Sequence, residues 1–233
     1  MKPDLSVIIP VFKEQAVIHT ALDNLYHQEF EGRFEVIVVD GSKACSTINL
    51  IENPNVIKLS SSPGRGTQMN IGARIASGET LLFLHCDTVL PQKAFKSIQA
   101  LMEQPSILAG AFDLSIRARG VFFRMIEKTA SLRSRITRIP YGDQAIFIKR
   151  SCFFEIGQYR DIPIMEDVDL MKRMKKAGKK IEFLNQQTST SPRRWQQEGM
   201  VYCTLRNWLL ITLFFLGMNP VKLACFYKQH TDR

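Results

Sequence analysis

The chain has 233 residues, 45% of them hydrophobic and 23% charged, with a net charge of +9. This is globular composition with enough chain for one sizeable core, and it excludes a disordered or fibrous protein. Five cysteines at scattered spacings form no C-x-x-C pair, which argues against a zinc knuckle or a disulfide framework and for a reducing, cytosolic compartment.

The start, MKPDLSVIIPVF, reads as a strand rather than a signal peptide. Leu5–Val11 is a buried strand. Glu14–His27 reads as a helix with Ala16, Val17, Ala21 and Leu25 as its buried stripe. Phe34–Val39 is a second apolar strand, and a short helix follows Ser42. Asn55–Leu59 is a third strand, Gly66–Ser77 a helix, Thr80–Leu84 a fourth strand and Pro91–Met102 a helix. Continuous apolar strands alternating with helices predict an α/β fold, a mostly parallel sheet covered on both faces. In the second half, Ala109–Ile116 alternates like an edge strand and Phe122–Arg138 is a basic helical stretch. A short strand, Ala145–Ile148, follows Tyr141-Gly142-Asp143-Gln144. Glu166–Lys176 is a helix with acids in its first turn and bases in its last, as the helix dipole favours. Lys180–Leu184 is another strand, followed by Ser191-Pro192-Arg193-Arg194-Trp195 and a C-terminal helix.

Charge is uneven. Residues 117–180 hold 16 of the 31 Lys and Arg but 7 of the 22 Asp and Glu, so the whole excess lies in that segment. The plain reading is a solvated face; the functional readings are an anionic ligand or an anionic membrane surface. Nucleic acid is not expected as a partner, because no helix-turn-helix, RNP or zinc-finger signature accompanies the charge. Trp208–Leu216 is strongly apolar but too short to span a bilayer. It reads as a core or dimer helix, or as an interfacial membrane helix.

In a parallel sheet the ligand crevice lies at the carboxyl ends of the strands. Those ends carry Pro10-Val11-Phe12-Lys13-Glu14, Asp40-Gly41-Ser42, Pro63-Gly64-Arg65-Gly66 and His85-Cys86-Asp87-Thr88. Any one of these is an ordinary turn; four on one rim describe a site. No G-x-G-x-x-G follows the first strand and no Walker A sequence is present, so neither usual phosphate loop is available. A carboxylate-held divalent cation is the other way to neutralise a diphosphate, and Asp87 is placed for it. His85, two residues earlier, points to the same side.

SVIIPVFKE, VVDGS, FLHCDT, GDQAIF, MEDVDL and RRW, in this order, resemble the family 2 inverting glycosyltransferases of GT-A fold. The nearest resemblance is to a small bacterial subgroup associated with radical-SAM and selenium-linked genes, and it runs from residue 5 to about 200. It implies one GT-A domain over 1–200, with a nucleotide-binding half (1–115) and an acceptor half (116–200), and a helical tail over 201–233. Pro10, Val11 and Glu14 would line the base and ribose, and Asp40 would pair with the base edge, with Gly41 and Ser42 shaping the turn. Arg65 would approach base or phosphate. HCD replaces the usual D-x-D, so Asp87 would bind Mn²⁺ or Mg²⁺, while His85 stands where relatives carry an acid. Asp167 would be the general base, with Glu166, Asp143 and Gln144 as donor or acceptor contacts. Arg194 and Trp195 match the end of a Q-x-x-R-W signature whose glutamine is missing. The implied donor is a nucleotide-diphosphate sugar, UDP before GDP, and the acceptor is undefined. Other readings remain: a degenerate sugar-nucleotide binder, a nucleotidyltransferase, or a membrane-surface scaffold. The expected location is cytoplasmic, with the inner membrane face and a homodimer through the C-terminal helix both open.

Overall fold

A computed structural model describes residues 2–227. The strands are β1 (Leu5–Val11), β2 (Phe34–Asp40), β3 (Val56–Ser60), β4 (Thr80–Phe83), β5 (Ile107–Ile116), β6 (Phe147–Lys149) and β7 (Lys180–Thr190). They form one sheet in the order β3-β2-β1-β4-β6-β5-β7. Only β6 runs against its neighbours. The carboxyl ends of six strands and the amino end of β6 therefore meet along one rim.

The helices are α1 (Ile18–Tyr26), α2 (Arg65–Ile75), α3 (Ala94–Met102), α4 (Val121–Thr137), α5 (Arg150–Glu155), α6 (Glu166–Lys176), α7 (Arg193–Glu198), α8 (Met200–Phe215) and α9 (Pro220–Ala224). Because alternate residues of a strand face opposite ways, the central strands feed two cores. Ile8, Val39, Leu81 and Phe83 pack with α2, α6 and α8, while Val7, Val38, Leu82 and Leu84 pack with α1 and α3. Gly72 lets α2 lie against β1, since a Cβ there would come within 2.6 Å of the Ile8 side chain.

Several boundaries differ from the sequence reading. Helix α1 begins at Ile18, because Lys13 is left-handed (φ 55°) and the Glu14 amide donates to Thr47 Oγ1 at 3.0 Å. Its buried stripe is Ile18, Ala21, Leu22 and Leu25; Ala16 is exposed. The strand that alternates like an edge, β5, is interior, covered by β7. The edge is β7, which continues past Leu184 through a polar run to Thr190. Thr188 fits there because its hydroxyl donates to the carbonyls of Asp113 and Asp143. Beyond residue 200, Leu210, Phe214 and Leu223 belong to the core. The end of the tail, 228–233, lies outside the described residues.

Candidate active site

The rim holds a cavity of about 220 Å³ lined by Arg65, His85, Asp87, Tyr141, Gly142, Asp143, Asp167, Arg194 and Trp195, among others. The residues named come from five separate parts of the chain, and each is placed by a local device.

Asp167 lies in the first turn of α6. Its Oδ2 accepts the Gly142 amide at 2.6 Å and its Oδ1 accepts the Val168 amide at 2.7 Å. Gly142 has to be glycine, since a Cβ there would lie 2.7 Å from His85 Nε2 and 3.4 Å from Asp167 Oδ2. Glu166 turns inward, 4% exposed, and pairs with Arg65 Nε at 3.1 Å. Burial raises the Glu166 carboxyl and Arg65 opposes the rise; Glu166 in turn raises the Arg65 guanidinium.

His85 and Asp87 follow β4 on the same side, with the buried Cys86 between them. Burial, with Arg65 and Arg194 nearby, lowers the His85 imidazole to about 3, so the ring is neutral at physiological pH. Glu14 pairs with Arg193 at 3.1 Å, tying the loop after β1 to α7; burial nonetheless raises its carboxyl. Arg194 lies with its guanidinium over the Tyr227 ring at 4.5 Å, and Phe123 meets Trp195 edge-on at 6.3 Å.

Other expected contacts are placed differently. Pro10 and Val11 are buried in β1, and the Val11 side chain belongs to the core. Asp40 is 0% exposed; its oxygens accept the amides of Ser42 (2.8 Å), Thr47 (2.9 Å) and Ile48 (3.3 Å). It therefore builds the loop carrying Gly41 and Ser42. Ser42 is itself buried, with its Oγ accepting the Ser46 amide. Gly41 packs against the Pro63 turn, where a Cβ would sit 3.1 Å from Pro63 Cα. Gln144 is 1% exposed; it accepts from Ser134 and the Tyr141 amide and donates to Phe112. That consumes its polar atoms in holding the Gly142 turn.

Four contributors carried too little signal in the sequence. Gln68 donates to the carbonyls of Val11 and Val39, pinning the two strand ends where their loops diverge. Arg133 stacks on Tyr141 at 3.3 Å. Asn207 and Tyr227 reach the cavity from the C-terminal helices.

Asp143 Oδ1 is buried without a hydrogen-bond partner among the described residues, and burial raises its carboxyl to about 6 despite Arg133. An unfolded aspartate ionises near 3.8, so between about pH 4 and 6 the unfolded state has already lost the proton that the folded state keeps. This group therefore lowers stability as pH rises through that window, and the loss persists above it. Asp143→Asn should be more stable than the parent at pH 8 by about 2 kcal/mol and gain little at pH 4. Urea melts at the two pH values check this.

Among the described residues no group of three or more His, Cys, Asp or Glu side chains could hold a metal ion. A cation that borrows oxygens from a bound diphosphate and keeps waters needs only one or two protein carboxylates. Asp87 fits that lesser demand, since it is half-buried in the cavity wall and its carboxylate accepts no hydrogen bond among the described residues.

A family profile described as glycosyl transferase family 2 matches residues 6–160. The chain belongs to glycosyl transferase family 2. This transferase is 32% identical over 214 residues to an uncharacterised glycosyltransferase of Haemophilus influenzae, covering 86% of this chain and 68% of that one. It is 29% identical over 144 residues to the Staphylococcus aureus poly(ribitol-phosphate) β-N-acetylglucosaminyltransferase TarS, covering 56% of this chain but only 25% of TarS. Among solved structures, the Pyrobaculum calidifontis mannosyltransferase PcManGT in complex with GDP-Man and Mn²⁺ superposes with a TM-score of 0.64 at 17% identity. That match covers 81% of this chain and 57% of PcManGT. S. aureus TarS 1–349 in complex with UDP superposes at 0.63 with 21% identity, covering 82% and 61%. The structural likenesses establish the GT-A fold.

Proposed function

We propose that the protein is an inverting, divalent-cation-dependent glycosyltransferase using a nucleotide-diphosphate sugar. The observation that carries this reading is the single cavity that places an oriented carboxylate, Asp167, with a second one, Asp87, and two cations, Arg65 and Arg194. Asp167 is held by the Gly142 amide, so its orientation exists before substrate binds. It takes the acceptor's proton as the acceptor oxygen bonds to the sugar's anomeric carbon and the bond to the diphosphate breaks, which inverts that carbon. Arg65 and Arg194 stabilise the charge that builds on the departing diphosphate. Asp87 would hold the cation, which when bound supplies Lewis-acid stabilisation to the same leaving group. His85, neutral, leaves the charge of the site to the carboxylates and arginines. PcManGT with GDP-Man and Mn²⁺, and TarS with UDP, support this chemistry by likeness. UDP is the first donor nucleotide to try. The FLHCDT and MEDVDL motifs support membership of the radical-SAM-associated subgroup.

A thermal-shift panel of nucleoside diphosphates with and without Mn²⁺ tests the reading. One nucleotide should stabilise the protein, by about 2.7 kcal/mol at a hundredfold excess over Kd, and only with the metal. Stabilisation that ignores Mn²⁺ would remove the cation from the proposal; no stabilisation by any nucleotide would remove the donor.

A further inference from the structure

Helix α8 is apolar on both sides: it buries Cys203, Leu210 and Phe214 together with Arg206. A surface helix ordinarily buries an apolar stripe and shows its charges to water. Residues 200–216 hold one charged side chain, Arg206, and it is buried, ion-paired with Glu198 and close to the rings of Tyr202 and Tyr227. The outer face instead carries Val201, Leu205, Trp208, Leu209 and Leu216, each at least 57% exposed. Spacings of four, seven, eight and fifteen residues set these on one side.

Helix α4 is mixed on both sides. It buries Glu127, Ser131 and Ser134 beside Phe123 and Ile126, and exposes Val121, Met125, Leu132 and Ile136 beside Arg124 and Lys128. The Glu127 carboxylate accepts the Ser115 hydroxyl and the Ile116 amide, and Ser131 accepts the Leu114 amide, so these polar groups are spent on β5. The two helices face each other across a slot of about 80 Å³ lined by Ile126, Ala130, Trp208 and Ile211, with Asp143 and Tyr141 in its wall. Those last two residues also line the catalytic cavity. Apolar surface of this extent marks a docking face.

The charges beside it say what docks. From 117 to 138 every exposed charged residue is a cation: Arg117, Arg119, Arg124, Lys128 and Arg138. A second copy would bring the same cations against them, which is unfavourable. An anionic bilayer complements both the cations and the apolar stripes. Among the described residues no helix is long and apolar enough to cross a membrane. The fit is to helices lying in the interface plane.

We infer that the α4–α8 face seats on an anionic bilayer surface, so that the slot between the helices leads a membrane-anchored acceptor toward Asp143 and Asp167. The acceptor part rests on the glycosyl-transfer reading; the docking part does not.

The test is co-sedimentation of the full chain with phosphatidylcholine vesicles, with and without phosphatidylglycerol, alongside light scattering and calorimetric nucleotide binding. Binding should require the anionic lipid and weaken with salt. Leu205→Ser with Leu209→Ser should reduce partition at least about tenfold. Lys128→Gln should reduce it about fivefold. Nucleotide affinity and melting temperature should stay as in the parent. A dimer that ignores vesicles, vesicle binding indifferent to lipid charge, or variants that bind like the parent would each overturn the inference. Vesicle binding without transfer from any donor would keep the docking face and discard the catalytic reading.

Discussion

Asp167→Asn should lower transfer about 10²- to 10⁴-fold while leaving donor affinity within about twofold. The base acts on the acceptor's proton in the transition state and contributes little to ground-state binding. Asparagine is nearly the same shape, and its carbonyl can still accept the Gly142 amide, now held at 2.6 Å. Single-turnover transfer and calorimetric titration of the donor nucleotide separate the two effects. Transfer near the parental rate would move the base elsewhere. Glu166 is then the weaker successor, because it is buried and paired with Arg65. Asp143, whose carboxyl burial raises to about 6 and whose Oδ1 has no partner among the described residues, would be the stronger one.

Asp87→Asn should weaken nucleoside-diphosphate binding in Mn²⁺ about a hundredfold and leave metal-free binding unchanged. The substitution removes one ligand charge from a cation that has few protein ligands. The fold should survive, because the Asp87 carboxylate accepts no hydrogen bond among the described residues. Titration with and without Mn²⁺, beside a urea melt, is the measurement. Equal affinity in both proteins would leave Asp87 as a turn residue at the end of β4.

The positions of these two residues stand out in the sequence because each lies at an end of a strongly patterned element. Strand β4 is apolar on both faces, so the first polar residues after it stand at the sheet's rim. Helix α6 begins with acids and ends with bases, so its start is marked in composition alone. Asp40 and Gln144 turn inward for a reason the sequence does not show. A polar residue at a rim looks the same whether it faces the cleft or turns inward. Whether backbone amides such as those of Thr47 and Ile48, or the Phe112 carbonyl, reach it is decided by how distant loops fold back.

By itself the sequence determined the parallel half-sheet, the rim and its carboxylates. These follow from local periodicity, which burial imposes on each strand separately. Tertiary structure decided the rest. It extended β7 through a polar run, because β5 offered a ladder and carbonyls for Thr188. It brought Arg133 onto Tyr141 and Asn207 into the cavity wall, contacts between residues with no shared pattern. It also chose which face of α4 and α8 is buried. Composition shows only that both helices carry apolar and polar sides. Glu127, Ser131 and Arg206 turn inward because partners on β5 and Glu198 hold them there, while Leu132, Leu205 and Leu209 stay outside and Leu210 is core.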